Sequence, residues 1–188
     1  FTRFKMWGQN VLIRDDEKFV QETFVFADSA VFRIFDFHLL KGDPDKALSE
    51  PRTIVLTQSL AERIFGDVDP VGEVLALNQD TTIYRVTGVM EDLPSNTHFR
   101  FNALASYHSL DESDRTHWLS NNVFTYMLLD KNADPATVQS KMDEVSLKYI
   151  EPELKSILGI DIRQFEQAGN RYGIKIQPLR GIHLNNDV

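Results

Sequence analysis

The sequence predicts an α+β fold of mixed sheets with packed helices. Three observations carry this reading. Apolar residues alternate with polar ones in several short stretches, they recur at intervals of three and four in others, and the two kinds of stretch are interleaved with hairpin turns rather than sorted into separate blocks. No internal repeat or low-complexity tract interrupts the pattern.

Residues 19–26 read as one extended segment, with Val20, Phe24 and Phe26 on one face and Glu22 interrupting. Asp28 then precedes Ser29-Ala30-Val31-Phe32-Arg33-Ile34-Phe35, where its carboxylate is expected to cap a short helix. Gly42-Asp43-Pro44 marks a turn, and Thr53–Thr57 is a β-branched strand. Thr57 is placed to cap the next helix, whose stripe is Leu60, Ile64 and Phe65 and whose end is Gly66. Glu73–Leu77 and Thr81–Met90 form a predicted hairpin turning at Asn78-Gln79-Asp80. Phe99, Phe101 and Ala103 alternate with Arg100 and Asn102, which predicts a strand buried on one face.

From Tyr107 to Asn122 the chain is polar and irregular, a loop or short helix; Val123–Leu129 reads as a strand. Asp134-Pro135 opens the longest helix, with Asp as cap and Pro at the first helical position, where a missing N–H costs nothing. Val138, Met142, Val145 and Tyr149 form its apolar stripe, expected to lie against a core, and Pro152 is expected to break or kink it near Glu151. A second helical stretch runs from Glu153 towards Ala168, interrupted at Gly159. Tyr172, Ile174 and Ile176 then alternate with Gly173 and Lys175, a one-sided strand stopped by Pro178.

Composition narrows the function classes. The 188 residues, 42% hydrophobic and 26% charged, suit one domain or two small lobes, and 13 Phe, 5 Tyr and 2 Trp are core material first. A net charge of −8 with scattered basic residues disfavours nucleic acid and a polybasic membrane anchor. Without cysteine there is no disulfide, thiolate nucleophile or Cys-based zinc site. No apolar run approaches the ~20 residues that cross a bilayer. The chain opens at Phe1 without an initiating Met and ends at Val188, so it is expected to be an excised fragment.

No constellation predicts chemistry. His38, His98, His108, His117 and His183 are dispersed, none at the i, i+4 spacing of helical metal sites, and ordinary surface or core histidines are the expectation. Residues 66–72 resemble a calcium loop only superficially, since Val71 occupies a ligand position and Asn78 stands where a bidentate Glu belongs. Asp111-Glu112-Ser113-Asp114, near His108 and His117, has the residue types for acid–base work, but on a polar loop such groups are normally solvated. Esterase, phosphate-loop and dinucleotide motifs are missing. The expectation is therefore a non-enzymatic domain with no catalytic, cofactor-binding or metal residues.

One ordered set of segments resembles a known family. Asp28–Phe37 with Leu39-Leu40-Lys41-Gly42-Asp43-Pro44 is similar to the opening of the periplasmic core domain of MacB/FtsX-type ABC transporter permeases. The likeness continues in Ile54–Gly66 with Asp69-Pro70-Val71-Gly72, in Tyr84–Pro94, in Asn96-Thr97-His98-Phe99, and in Gln177–Leu184. It implies a domain with two subdomains, a porter-like one (residues 1–24 and 118–188) and an inserted sabre-like one (residues 25–117). Family domains begin with a strand and helix leading from the membrane, and little before residue 19 looks like that, so the N-terminal part of the porter-like element is expected to be incomplete.

The resemblance also implies a position facing the periplasm at the cell inner membrane. It implies partners: the membrane helices of the same permease, a cytoplasmic ABC ATPase acting through them, a second permease copy and a periplasmic adaptor. Turn residues Gly66, Pro70, Gly72 and Pro94 would be scaffold. Two other readings compete with such a relay: a free-standing periplasmic module that binds a peptide or lipid, and a hydrolase using Asp111, Glu112, Asp114 and His117.

Overall fold

The structure is a computed structural model; it describes residues 1–21, 23–78, 82–120, 123–170 and 172–182. Two compact units emerge, Phe1–Thr116 with Asn121–Leu128, and His117–Ser120 with Leu129–Val188.

The first unit is built on a mixed sheet of ten strands. They are β1 (Thr2–Met6), β2 (Asn10–Arg14), β3 (Glu17–Gln21), β4 (Phe24–Ala27), β5 (Leu39–Gly42), β6 (Thr53–Thr57), β7 (Val74–Leu77), β8 (Thr82–Met90), β9 (Ala103–Ser106) and β10 (Val123–Tyr126). Their order across the sheet is β10-β1-β4-β9-β6-β8-β7-β2-β3, with β5 also paired to β8. The pairs β4–β9 and β6–β8 are parallel; the others are antiparallel.

Strands at the centre are covered on both faces, so β4, β6 and β9 are buried throughout. The pleat sends alternate side chains to two cores. Phe24, Phe26, Ile54, Leu56, Ala103 and Ala105 join the first, where α2 (Gln58–Phe65) adds Leu60, Ala61, Ile64 and Phe65. Val25, Ala27, Val55 and Leu104 join the second, with Phe4, Phe99 and Phe101 and with Val31 of α1 (Val31–Ile34). Each of the Val, Leu, Ile and Phe side chains contributes about 1.5–3 kcal/mol by leaving water, and each Ala methyl under about 1.

Several expectations are met locally. β6 and α2 have the predicted limits, Gly66 ends α2 with φ 59°, and β7 and β8 pair as a hairpin. Residues 79–81 of its turn lie outside the described residues. Thr57 stands at the cap position of α2, yet its buried hydroxyl has no hydrogen-bond partner among the described residues. The cap comes instead from Asp92, which accepts from the Ser59 amide at 3.2 Å and from the Ser59 hydroxyl.

Others require correction. The stretch before residue 19 holds two strands and the start of a third. Asp15 and Asp16, with φ of 48° and 67°, form the two-residue turn of the β2–β3 hairpin, the geometry that matches strand twist. Residues 19–26 are not one strand: β3 pairs with β2, whereas β4 pairs with β1 and β9. Val20 is consequently half exposed and Phe19 takes the inward position. Glu22 lies outside the described residues. β5 carries no alternation to reveal it, since three of its four residues are exposed. It crosses β8 closely at glycines: a Cβ on Gly42 would stand 2.4 Å from the Thr87 carbonyl oxygen, and one on Gly88 would stand 2.9 Å from that of Lys41. Phe99 and Phe101 are buried as expected but precede β9, which is covered on both faces. β10 ends at Tyr126 rather than at residue 129. The polar stretch after Ser106 holds a short 3₁₀ turn, Tyr107–Ser109, and α3 (Glu112–Thr116).

The second unit is helical. Asp134 caps α4 (Pro135–Val145), accepting from the Ala136 and Thr137 amides at 3.2 and 3.1 Å. The helical path then continues through a π turn, Ser146–Ile150, into α5 (Glu151–Leu158) without a break at Pro152. Proline clashes with the carbonyl four residues back, and a π turn, bonded five residues apart, relieves that clash. Val138, Met142 and Val145, which precede the π turn, are only half-buried. Within it the extra residue shifts the phase of the stripe, so that Tyr149 is exposed while Ser146 and Ile150 face inward. Gly159, at φ 72°, ends α5, and Asp161 and Gln164 form the capping box of α6 (Ile162–Gln167).

Residues 172–176 alternate in burial as predicted but pair with no strand among the described residues. The Gln139 side chain replaces one: its amide nitrogen donates to the Ile174 carbonyl and its oxygen accepts from the Ile176 amide, both at 2.9 Å. Ser146 Oγ accepts from the Ile174 amide at 3.0 Å.

Candidate functional site

Charged side chains are drawn in from solvent along β1, where Lys5 is buried and Arg3 partly so. Its odd positions, Arg3 and Lys5, point to one face of the strand and Phe4 to the other. Arg3 donates three bonds to Asp28: its amide to Oδ2 at 2.8 Å, Nε to Oδ2 at 2.9 Å and Nη2 to Oδ1 at 2.8 Å. Its guanidinium also lies 3.9 Å from the centre of the Tyr107 ring. Asp28 therefore clamps β1 and does not cap α1, which has no side-chain cap at all. Sequence reading missed this because the partner stands 25 residues away on a strand it had not recognised.

Lys5 is 2% exposed, and its ammonium donates to Asp114 Oδ1 at 2.7 Å and to the Asp114 carbonyl at 3.1 Å. The Trp7 ring lies 5.0 Å from the same nitrogen. Behind β1, Phe4 packs against Phe99 and Tyr126 with ring centres 5.2 and 5.5 Å away. Each charge is thus committed to an opposite charge, and the arrangement fastens backbone segments together.

The residues singled out in the sequence are not assembled into a common centre. Asp114 is held by Lys5, while His117 pairs with Glu153, whose other oxygen accepts from the Trp118 amide at 2.9 Å. His38 meets Glu91 at 3.0 Å, His98 meets the Tyr126 hydroxyl at 3.0 Å, and the His108 amide donates to Ser106 Oγ. His183 lies outside the described residues. Asp69 of the 66–72 turn is bonded by Lys41 at 3.0 Å and by the Val71 amide, which hold its carboxyl below the usual value. Among the described residues no group of three or more His, Asp or Glu side chains is gathered as a metal would require. No helix among them is long and apolar enough to cross a membrane.

Hydrogen bonding to Asp28 raises the Arg3 pKa further, and burial raises the hydroxyls of Tyr84, Tyr107 and Tyr126. For the tyrosines the sign follows directly. The unfolded chain releases these protons near pH 10, the folded chain later, so stability is complete below that pH and falls as pH rises past it. Urea midpoints measured from about pH 8 to 11 should decline steeply above about 10, in step with tyrosinate absorbance; a flat profile would contradict the burial.

Comparison with solved structures gives the same architecture. A domain assigned to a permease protein of Porphyromonas gingivalis has TM-score 0.68 at 23% identity, over 79% of this chain and 69% of that one. The periplasmic region of MacB from Actinobacillus actinomycetemcomitans has TM-score 0.52 at 15% identity, over 91% of this chain and 77% of that one. At these identities the likeness is one of fold. Among curated proteins none matches. The sequence profile of the MacB-like periplasmic core domain matches residues 5–145, from β1 to the end of α4. The chain accordingly belongs to the MacB-like periplasmic core domain family, the extracytoplasmic domains of ABC transporter permeases.

Proposed function

We propose that this domain is a non-catalytic relay: it takes up movement of the permease's own membrane helices, driven by a cytoplasmic ATPase, and delivers it to export or to a periplasmic partner. Domains of this family belong to permeases that work with ATPases and are generally non-catalytic. A second permease copy and a periplasmic adaptor complete the proposed assembly at the inner membrane. Membership of a permease-domain family weighs against the free-standing binding module. The separation of Asp114 and His117 into different ion pairs weighs against the hydrolase.

The observation that carries the relay is how β1 is held. Backbone pairing ties it to β10 on one side and to β4 on the other, so displacement along its axis must break bonds on both sides together. The chain enters the second unit after α3 and again after β10, and both are attached to β1, α3 through Lys5–Asp114 and β10 through the sheet. A pull on the N-terminus therefore reaches both routes. We further propose the porter-like (1–24 and 118–188) and sabre-like (25–117) division as the functional one. Its boundary at 117/118 falls beside the passage from Thr116 to His117 between units.

The test uses spin labels at Lys46 and Lys155, both exposed and one on each unit, in the intact permease with its ATPase. ATP is expected to change their distance distribution. Lys5→Met with Asp114→Leu, which removes both charges together, should abolish that change while ATP hydrolysis persists. A distance unaffected by ATP, or a variant that responds like the wild type, would end the proposal.

A further inference from the structure

The sheet leaves one face uncovered. On β8, β7, β2 and β3 the inward positions, Tyr84, Leu75, Leu77, Leu12 and Phe19, fill the first core. The alternate positions form rows on the opposite face: Ile83, Ala76, Ile13 and Lys18 in register across four strands, Val74 beside Arg85, and Val11 beside Val20. The second core covers this side of the sheet at β1, β4, β6 and β9 but includes no residue of β7, β2 or β3. Val20, Val74 and Ile83 are 50, 53 and 54% exposed, although each stands in a sheet rather than a loop. Strand ends and loops shed apolar residues into water routinely, but an in-register apolar face across four strands marks an interaction surface.

From this face we infer a docking site for an amphipathic helix of a partner protein, its apolar stripe flanked by carboxylates. Size and charge select that occupant. Four strands at about 4.8 Å spacing span roughly 14 Å, and three rows of alternate residues cover a similar length, a footprint that suits a helix of about 10 Å diameter. Among the described residues, the charged ones on this face are Lys18 and Arg85, both exposed and neither ion-paired. A second copy meeting this face with its own would oppose cation to cation. An anionic bilayer would set a continuous plane of negative charge against the whole chain of net charge −8, whereas a short helix meets only the local cations within a screening length of about 10 Å. Carboxylates beside an apolar stripe satisfy both cations. The inference concerns a surface on β8, β7, β2 and β3 that includes neither Lys5 nor Asp114, and it does not depend on the relay.

The test is fluorescence anisotropy of two labelled peptide helices on the 188-residue chain. One has a leucine stripe flanked by glutamates; the other has lysines in place of the glutamates. The glutamate peptide is expected to bind about tenfold more tightly. Lys18→Glu with Arg85→Glu should reverse the preference, and Ile83→Asp should abolish binding with the circular dichroism spectrum unchanged. Absence of binding, equal binding of the two peptides, or unchanged binding by Ile83→Asp overturns the proposal. So does finding that Ile83→Asp removes self-association in sedimentation, or removes adsorption to phosphatidylglycerol vesicles, in place of peptide binding.

Discussion

Phe4→Ala is expected to lower folding stability by about 3–5 kcal/mol. Phe4 is 3% exposed and sits among Phe35, Phe99, Phe101 and Tyr126, with ring centres 5.2–6.3 Å away. Truncation removes its own burial and leaves a cavity walled by rigid rings, which collapse poorly into the space. Phe124 provides the control. It lies opposite Phe4 on the neighbouring strand but is 54% exposed at the sheet edge, so Phe124→Ala should cost well under about 1.5 kcal/mol. Urea denaturation of the two variants checks the pair, and equal losses would refute this account of the second core.

Asp28→Ala is expected to cost about 2–3 kcal/mol, because it strands both the Arg3 guanidinium and the Arg3 amide. The side chains are 31% exposed for Arg3 and 14% for Asp28, which places the pair between a surface and a buried ion pair. A helix cap would behave differently: its loss costs about 1 kcal/mol and is indifferent to Arg3. A double-mutant cycle with Arg3→Met separates the two. The clamp requires a clear coupling between the sites, with the double variant recovering part of the single loss. Additive effects would restore the capping role that the local sequence suggests.

These variants sit where local reading and the fold part company. Thr53–Thr57, the helix after it, Gly66, Asp134-Pro135, Gly159 and the β7–β8 hairpin were legible because their signals are local: β-branched runs, caps, terminal glycine, apolar spacing. The resemblance to MacB-like domains was legible for a related reason, since it rests on the order of such segments along the chain. β5 was hidden because its positions are mostly exposed, and the β2–β3 hairpin because Asp15-Asp16 lacks the usual glycine of its turn. The π turn was hidden too: Pro152 reads as a break unless the preceding turn widens.

Sequence alone determined the class of the fold, the strong helix and strand signals and the family, because backbone propensity and apolar period act between near neighbours. Only the tertiary structure decided the partners. It set Asp28 on Arg3, Asp114 on Lys5, Asp92 at the head of α2 and Gln139 beside residues 174–176, and it left the outer face of β7, β2 and β3 in water. Ion pairs, caps supplied from a distance and uncovered faces depend on which strands become neighbours. That order is chosen by the burial of the whole sheet, so no window of adjacent residues contains it.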